Sequence, residues 1–376
     1  MKVYATYLPG FHNDKLNNKW WGNNFSEWDI VKKAKPLFLD HNQPSVPLNG
    51  YYDLSSADAI QSQYKMAKKY GIDAFLMYGY WSKGQQPLVK PFEVILDNPD
   101  LDIKFAYYWG NHSWTRTWTN RKGSLDVLLE QEYDSEDMDN FFLFLVKLFK
   151  DVRYERIDGK PLFIIYKPED IPNLKEFIIR LKSYSYKYIG VEPYIIGSIT
   201  AWKNSYDWID LVDSTMLFQP SFSLFGPENV FENKKESVAN KINQYIRSLP
   251  DGLKKYIYYM HDLLPEKYTI YDFTKVANKS LHQFINFRNK YINSIPMINI
   301  GFDNTPRYKG RAKIIESFNI EEFKNILSEI INITKYDKNN IIVINAWNEW
   351  GEGMYLEPDE KSGYIKLEAV RSVLND

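Results

Sequence analysis

The sequence predicts a (β/α)8 barrel with elaborated loops between its strands and helices. Three observations predict this fold: eight short apolar runs, helical periodicity between most of them, and polar and aromatic residues directly after several runs. Near-continuous apolar runs are typical of parallel strands covered on both faces, and their alternation with helices indicates an α/β fold. An open, doubly wound sheet is the alternative. The predicted strands span residues 3–8, 72–78, 103–108, 161–166, 193–199, 211–217, 295–301 and 341–346.

The segments between these runs carry the periodicity of amphipathic helices. Ile60, Tyr64 and Ala67 lie one helical turn apart, and Gly71 is a suitable residue to end that helix. The chain shows no Pro/Gly/Ser-rich linker and no internal repeat, so we expect a single domain over residues 1–376. The same spacing recurs at 138–149, 174–181, 238–249 and 323–330, whereas 256–260 is typical of an extra edge strand or rim segment.

Composition excludes several classes of function. The 47 basic residues are balanced by 48 acidic ones, so the basic surplus of a nucleic-acid-binding protein is missing. The absence of cysteine excludes disulfides, metal–thiolate sites and cysteine nucleophiles. The five histidines lack metal-ligand spacing, and no phosphate-loop or dinucleotide motif is present, so we predict no metal and no cofactor. No stretch resembles a signal peptide or a membrane helix, so we expect a cytoplasmic protein without membrane insertion.

Aromatic residues are the most distinctive part of the composition, because they make up 16% of the chain and many stand beside polar residues. Sugars offer both apolar C–H faces and hydroxyl groups, and Tyr and Trp can contact both. In a barrel, the functional site lies where the strands end at their carboxyl side. Residues at these positions, or in aromatic segments, are therefore predicted to bind a carbohydrate: His12, Trp21, Tyr80, Trp81, Trp109, Asn111, His112, Asp303, Asn348 and Trp350.

Some of these candidates have a structural alternative. Asp303 either bonds to the sugar, orients a catalytic residue or caps the turn that follows it. For His12, a packing role is as plausible from the sequence as a role in binding. Arg116 and Arg307 fit a structural ion pair better than an acidic ligand.

The most informative segment follows the last predicted strand, where Glu349 and Glu352 stand three residues apart between aromatic residues. On a continuing strand they would face opposite sides, but a turn at Gly351 can bring both into one cleft. Paired carboxylates in different environments are the usual means of breaking a glycosidic bond. The flanking Trp347 and Trp350 can exclude water and separate the two pKa values. A solvated surface is the alternative for this spacing.

The chain resembles the WbsX-type proteins, which belong with the glycoside hydrolase family 99-like group. The resemblance covers about residues 4–370 and weakens between about 218 and 290. It rests on long, tryptophan-rich motifs in the same order. They are YLPGFH (7–12), WWGNNFSEW (20–28), VKKAKPLF (31–38), GYYDL (50–54), YGIDAFLMYGYW (70–81), WTRTW (114–118), DGKPLFIIYKP (158–168), GFDNTPR (301–307) and AWNEWGEGMYLEPD (346–359).

The resemblance implies a barrel that acts on α-mannosidic bonds with retention of configuration. It implies that Glu349 is a base acting on the sugar's own 2-hydroxyl, which gives a 1,2-anhydro intermediate. It further implies that Glu352 is the acid that protonates the leaving oxygen and then the base that activates water. Simple double displacement, with carboxyl groups about 5–5.5 Å apart, is the fallback. One departure is His112, which stands where related sequences have a glutamate, so specificity or reaction can differ here.

Three functional hypotheses follow. The first is a retaining, metal-independent enzyme that hydrolyses or remodels an α-linked oligosaccharide or polysaccharide, in bacterial surface polysaccharide metabolism. The second is a WbsX-type glycosyltransferase of polysaccharide or lipopolysaccharide biosynthesis, in which the same two carboxylates serve a sugar acceptor. The third is a non-catalytic glycan-binding barrel, which only His112 favours.

Overall fold

Eight parallel strands form the centre of the molecule. A computed structural model describes residues 1–116, 126–201, 206–226, 249–250, 253, 267–316 and 318–375. All eight predicted strands are present, with small shifts of their ends. They are β1 (Lys2–Tyr7), β2 (Ala74–Gly79), β3 (Phe105–Trp109), β4 (Lys160–Ile165), β5 (Tyr194–Ile199), β6 (Ser214–Leu217), β7 (Ser294–Ile295 and Met297–Asn299) and β8 (Ile341–Asn345).

Each strand pairs in parallel with its neighbours in chain order, and β8 returns to pair with β1. The ring closes through β7, which is interrupted at Pro296. Its first segment pairs with β6 and its second with β8. The carbonyl of Pro296 accepts a hydrogen bond from Val343 N at 3.0 Å, so the interruption still contributes to closure. The predicted (β/α)8 barrel is confirmed, and the open sheet is excluded.

Helices surround the barrel and connect most strands. The predicted helical segments at 60–67, 138–149, 174–181 and 323–330 are confirmed, whereas 238–248 and 256–260 lie outside the described residues. Within the described ranges, the helices are α1 (Lys15–Trp21), α2 (Trp28–Val31), α3 (Ala57–Lys69), α4 (Lys90–Asp97), α5 (Ser135–Phe149), α6 (Leu174–Ile189), α7 (Ser221–Phe225), α8 (Phe273–Lys290), α9 (Thr305–Tyr308), α10 (Ile320–Thr334) and α11 (Ile365–Asn375).

The sequence sets the ends of several helices through local hydrogen bonds. Asp134, Asn173 and Asn319 precede α5, α6 and α10, and each side chain accepts a bond from a backbone N–H of the first turn. Helix α6 ends at Gly190, whose φ of 75° lies in the left-handed region that favours glycine. These caps fix where each helix starts relative to the strand before it.

Aromatic side chains fill much of the space between the sheet and the helices. The ring of Trp109, at the end of β3, lies 4.7 Å from that of Phe141 and 5.4 Å from that of Phe177. The ring of Phe75 in β2 lies 5.4 Å from that of Trp347. Part of the high aromatic content therefore serves packing and not ligand binding.

In the part of the chain that the structure describes, none of the helices combines the length and the apolar composition needed to cross a bilayer.

Candidate active site

Strand β8 leads directly into a tight acidic turn. Asn348–Glu349 pairs antiparallel with Met354–Tyr355, and a 3-10 turn, Trp350–Glu352, connects the two segments. Gly353 closes the turn with a φ of 62°, and a Cβ there would lie 2.7 Å from the backbone nitrogen of Asp303. A glycine is therefore required both by conformation and by space. It allows the acidic turn to pack against the loop that follows β7.

A single arginine joins the two predicted catalytic carboxylates. Arg307 lies on α9, in that loop after β7. Its Nη1 donates to Glu352 Oε1 at 2.5 Å, and its Nη2 donates to Glu349 Oε1 at 2.8 Å. Both carboxylates are thus within reach of one guanidinium at the carboxyl ends of the strands. Glu349 is buried, with 8% of its side chain exposed, whereas 27% of the Glu352 side chain is exposed.

A third carboxylate adjoins the same guanidinium. Glu27, directly before α2, places Oε2 3.5 Å from Arg307 Nη2. We name Glu27, Glu349, Glu352 and Arg307 the acidic cluster. Three carboxylates around one cation leave an excess of negative charge in a poorly hydrated place, which favours protonation of the most buried member.

The charge environment of Glu349 follows from this arrangement. Burial, and the negative charges of Glu352 and Glu27, raise its pKa to about 8 against the opposing effect of Arg307. Burial also raises the pKa of Glu27, although Arg307 partly offsets it. Glu349 therefore holds a proton more tightly than an ordinary glutamate does.

Half-buried polar aromatic residues stand beside the acidic cluster. Burial raises the pKa of the Tyr78 and Tyr80 phenols, and the charge of Glu349 contributes to both increases. The ring of His112 lies 6.2 Å from that of Tyr80 and 5.6 Å from that of Tyr166. Burial, assisted by the charge of Lys167, lowers the pKa of His112 to about 4. The imidazole is consequently neutral at physiological pH and can both donate and accept hydrogen bonds.

The two predicted asparagines have their amides occupied. Asn348 is fully buried, and it accepts from Leu8 N at 2.8 Å and donates to Leu8 O at 3.0 Å. Asn111 is fully buried as well, and it makes the equivalent pair with the backbone of Lys167, at 2.8 Å and 2.7 Å. Each amide therefore joins neighbouring strand ends. Direct binding of a sugar, which the sequence predicted, does not fit these contacts.

Three predicted tryptophans lie inside the wall of the barrel. Trp109 and Trp350 have no exposed surface, and Trp81 is 5% exposed. The indole N–H of Trp81 donates to Asp137 Oδ1 at 3.0 Å, and that of Trp350 donates to Glu357 Oε2 at 2.9 Å. A buried ring has no free face for a sugar, so the predicted stacking role does not fit these three residues.

Three further residues were predicted to bind the carbohydrate: Asp303, His12 and Trp21. Asp303 accepts from Thr305 N at 3.0 Å and lies 2.9 Å from His41 Nε2, which fits the turn-capping alternative. Although its burial acts in the opposite direction, hydrogen bonds from His41, Thr305 and Gln43 lower the pKa of Asp303. His12 is 2% exposed, and burial lowers its pKa. Trp21 stays half-buried, with the guanidinium carbon of Arg116 4.9 Å from its ring centre.

Sequence reasoning left Glu27, Tyr78 and Tyr166 out of the site, and it did not place Arg307 there. Glu27 stands in one of the tryptophan-rich motifs, which was the one available signal. Tyr78 lay within a predicted strand, where alternation gives no sign of which side chain reaches the strand end. Among the described residues, no group of three or more acidic or histidine side chains is arranged to hold a metal ion.

The barrel with an acidic cluster at its strand ends has the fold of glycoside hydrolase-like barrels. A solved "Glycoside hydrolase-like protein" is 15% identical, with a TM-score of 0.59 over 99% of this chain and 93% of that chain. The GH99 endo-alpha-mannosidase from Bacteroides thetaiotaomicron is 12% identical, with a TM-score of 0.55 over 100% of this chain and 98% of that chain. At such identities the likeness shows the fold.

The chain belongs to the family described as "Glycosyltransferase WbsX", which it matches over residues 3–370. It is also 28% identical over 377 residues to "Uncharacterized protein WxcX" of Xanthomonas campestris pv. campestris, covering 99% of this chain and 49% of that protein. The chain therefore spans about half the length of the curated relatives it matches. Membership of this family supports the predicted class, a carbohydrate-active enzyme.

Proposed function

We propose that the chain acts on α-glycosidic bonds of an oligosaccharide or polysaccharide, with Glu349 and Glu352 as its catalytic residues. One observation carries this proposal: both carboxylates meet on one guanidinium at the carboxyl ends of the barrel strands. This is the edge where barrel enzymes hold their catalytic groups. The half-buried Tyr78, Tyr80 and His112 supply hydroxyl and imidazole groups that suit sugar hydroxyls.

The different environments of the two carboxylates suit different roles. A carboxylate with a pKa near 8 is a stronger base than an ordinary one, and it suits removal of a proton from a sugar hydroxyl. Glu349 is accordingly the base toward the 2-hydroxyl. Glu352 is more exposed and stands beside it as the acid that protonates the leaving oxygen. The 2-oxygen of the sugar attacks the anomeric carbon of the same sugar while the bond from that carbon to the leaving oxygen breaks. Water, assisted by Glu352, then opens the 1,2-anhydro ring that has formed.

Hydrolysis is tested directly with α-mannosides and bacterial envelope oligosaccharides, by measuring new reducing ends. Positioned acid or base groups contribute about 10²–10⁴-fold to rate, so Glu349→Gln and Glu352→Gln should each lose that much. Glu360→Gln, in the same segment but exposed, is the matched control and should keep full activity. Unchanged turnover in either catalytic variant would exclude the assigned pair.

The pH dependence of kcat/KM tests the order of roles. If Glu349 is the base, activity rises with pH until its pKa of about 8 is passed. A profile that instead falls above that pH would make Glu349 the proton donor and would reverse the two roles.

Transfer to a sugar acceptor is the second candidate, and the description of the family favours it. An acceptor hydroxyl would take the place of water at Glu352. Incubation with nucleotide sugars and envelope oligosaccharides, followed by mass spectrometry, should then give lengthened glycans that Glu352→Gln does not form. Glycan binding without either product, unchanged in Glu349→Gln, would point to the non-catalytic alternative.

A further inference from the structure

Glu27 approaches the acidic cluster from a different part of the chain than the two catalytic carboxylates. It directly precedes α2, and its backbone carbonyl accepts from Ile30 N at 3.2 Å and Val31 N at 3.3 Å. The next residue, Trp28, is fixed by a bond from its indole N–H to Tyr52 O at 2.7 Å. Only 10% of the Glu27 side chain is exposed. The carboxylate is therefore held by a well-packed segment and does not extend into solvent.

Two glycines provide the space that Glu27 occupies. A Cβ on Gly10 would lie 2.7 Å from Glu27 Cγ, a distance at which one of the two must move. A Cβ on Gly351 would lie 3.3 Å from Glu27 Oε2 and 3.1 Å from Arg307 Nε. Neither glycine has a positive φ, so space and not conformation explains them. The backbone on both sides thus leaves room for this carboxylate next to the guanidinium.

The resting arrangement keeps both catalytic carboxylates bonded to Arg307. A glycan hydroxyl that bonds to Glu349 competes with Nη2 for the oxygens of this carboxylate. The same Nη2 lies 2.8 Å from Glu349 and 3.5 Å from Glu27. A movement of well under 1 Å would convert the longer contact into a normal hydrogen bond. Glu27 is therefore placed to accept the N–H that Glu349 releases, so the buried guanidinium keeps its hydrogen bonding.

We propose that Glu27 is a positioning residue of this site, which accepts the Nη2 hydrogen bond of Arg307 when a glycan draws Glu349 away. The proposal deepens the proposed function and rests on it. Glu27 does not touch the reacting atoms; it acts through Arg307. It allows the arginine to stay in place while Glu349 changes partners.

The charge of Glu27 also acts on Glu349. The groups that bear on Glu349 electrostatically are Arg307, Glu352 and Glu27, and the phenols of Tyr78 and Tyr80 are affected by it in turn. Removing the charge of Glu27 leaves Arg307 to interact more strongly with Glu349, which lowers the proton affinity of Glu349. Glu27 therefore has an effect that can be measured without any substrate.

The first test is the titration of Glu349 in Glu27→Gln, followed by NMR of ¹³C-labelled glutamate carboxyls and assigned by loss of the signal in Glu349→Gln. Glutamine keeps the size of the side chain beside Gly10 and Gly351. The midpoint of Glu349 should move to lower pH than in the wild type, whereas Glu360→Gln should leave it unchanged. An unchanged midpoint in Glu27→Gln would overturn the electrostatic link, whether or not a glycan substrate has been found.

The second test separates the charge of the Glu27 side chain from its length. Glu27→Asp keeps the charge but shortens the side chain by one methylene, so it should keep the high midpoint of Glu349 and lose the hydrogen bond to Arg307. With an active glycan, Glu27→Asp should lower kcat at least tenfold while KM stays within about twofold. Glu27→Gln keeps an acceptor oxygen at the same reach and should lower kcat less. A wild-type kcat in both variants would overturn the positioning role. If Glu27→Gln does not fold, Glu27→Asp and Gly10→Ala, which displaces Glu27 without changing its charge, decide the positioning role.

Discussion

Two buried carboxyl groups lie on either side of Trp350, and they differ in what surrounds them. Glu349 is 6% exposed and belongs to the acidic cluster. Glu357 is 7% exposed and lies on the other side of the acidic turn. It accepts hydrogen bonds from Tyr52 Oη at 2.8 Å and Trp350 Nε1 at 2.9 Å. Burial raises the pKa of Glu349 to about 8 and that of Glu357 to about 7.

Burial alone therefore does not distinguish the proposed catalytic carboxyl group from a structural one. The partners of Glu357 are neutral donors in the protein core, and they oppose the effect of burial on its pKa. The partners of Glu349 are ionised groups at the strand ends, and those charges act on one another. A group held by neutral donors has a fixed arrangement, whereas a group held by an arginine that has other carboxylates nearby can exchange partners.

The two sites are nevertheless coupled through the acidic turn. Trp350 donates to Glu357, stacks on Tyr355 at 3.8 Å between ring centres, and stands between Glu349 and Glu352 in the chain. Glu357 thereby fixes the side chain of Trp350, the first residue of the 3-10 turn. The structural site supports the geometry of the charged one.

The largest expected difference in stability concerns Arg307. Arg307→Met leaves buried carboxylates without their cation, and removing one member of a buried ion pair costs about 3–5 kcal/mol. The cost should be highest at pH 9 and smaller at pH 6, because protonation removes the uncompensated charge at the lower pH. Urea unfolding at both pH values measures it.

Arg371→Met removes an exposed arginine and serves as the control. It should cost less than about 0.5 kcal/mol at either pH. A cost for Arg307→Met that is equal at pH 6 and pH 9 would show that packing, not charge, is what Arg307 contributes.

The pH dependence of stability should separate the two carboxyl sites. Each has a folded pKa above its ordinary value of 4.5, so the folded state holds a proton that the unfolded state has released. The stabilisation is complete below 4.5, and it is lost as pH rises, up to about 7 for Glu357 and about 8 for Glu349. A pKa unit corresponds to about 1.4 kcal/mol, so each loss is on the order of a few kcal/mol.

Glutamine cannot titrate, so Glu357→Gln should flatten the stability curve between about pH 4.5 and 7, and Glu349→Gln should flatten it up to about pH 8. Thermal unfolding at four pH values between 5 and 8 measures both slopes. Curves that remain parallel to the wild type would contradict the raised pKa values and, with them, the contrast between the two sites.

The fold could be predicted because its strands are covered on both faces, which leaves near-continuous apolar runs in the sequence. The interruption of β7 was missed within the predicted run 295–301, although Pro296 lacks the N–H that a continuous ladder uses. Most strand ends moved by one to three residues relative to the predicted runs.

The candidate site was predicted less completely, and the reason is topological. Glu349 and Glu352 lie within one turn, so local sequence brings them together. Arg307 and Glu27 reach the same place from other loops, and no periodicity connects residues that far apart. Trp109 and Trp350 were given a binding role because a tryptophan at a strand end can equally face a ligand or the core. Only the packing of α5 and α6, and the position of Glu357, decide that alternative.

The smallest expected effect concerns single hydroxyl groups at the two sites. Tyr52→Phe removes the hydrogen bond that Oη donates to Glu357 and the longer one that it accepts from Asn348 Nδ2 at 3.5 Å. A hydrogen bond contributes about 0.5–1.5 kcal/mol to the free energy of unfolding. Tyr78→Phe is the matched change beside Glu349, where the phenol makes no hydrogen bond within the described part of the chain. Stability should therefore fall in the first variant and stay within about 0.5 kcal/mol of wild type in the second. Glycan turnover should fall in Tyr78→Phe and stay near wild type in Tyr52→Phe. The reason is that the Tyr78 hydroxyl, which makes no hydrogen bond to the described residues, is available to a sugar, whereas that of Tyr52 is not. Urea unfolding and kcat/KM on the same two preparations measure both effects. If Tyr78→Phe lowered stability as much as Tyr52→Phe without changing turnover, the two sites would not differ in the way their partners indicate.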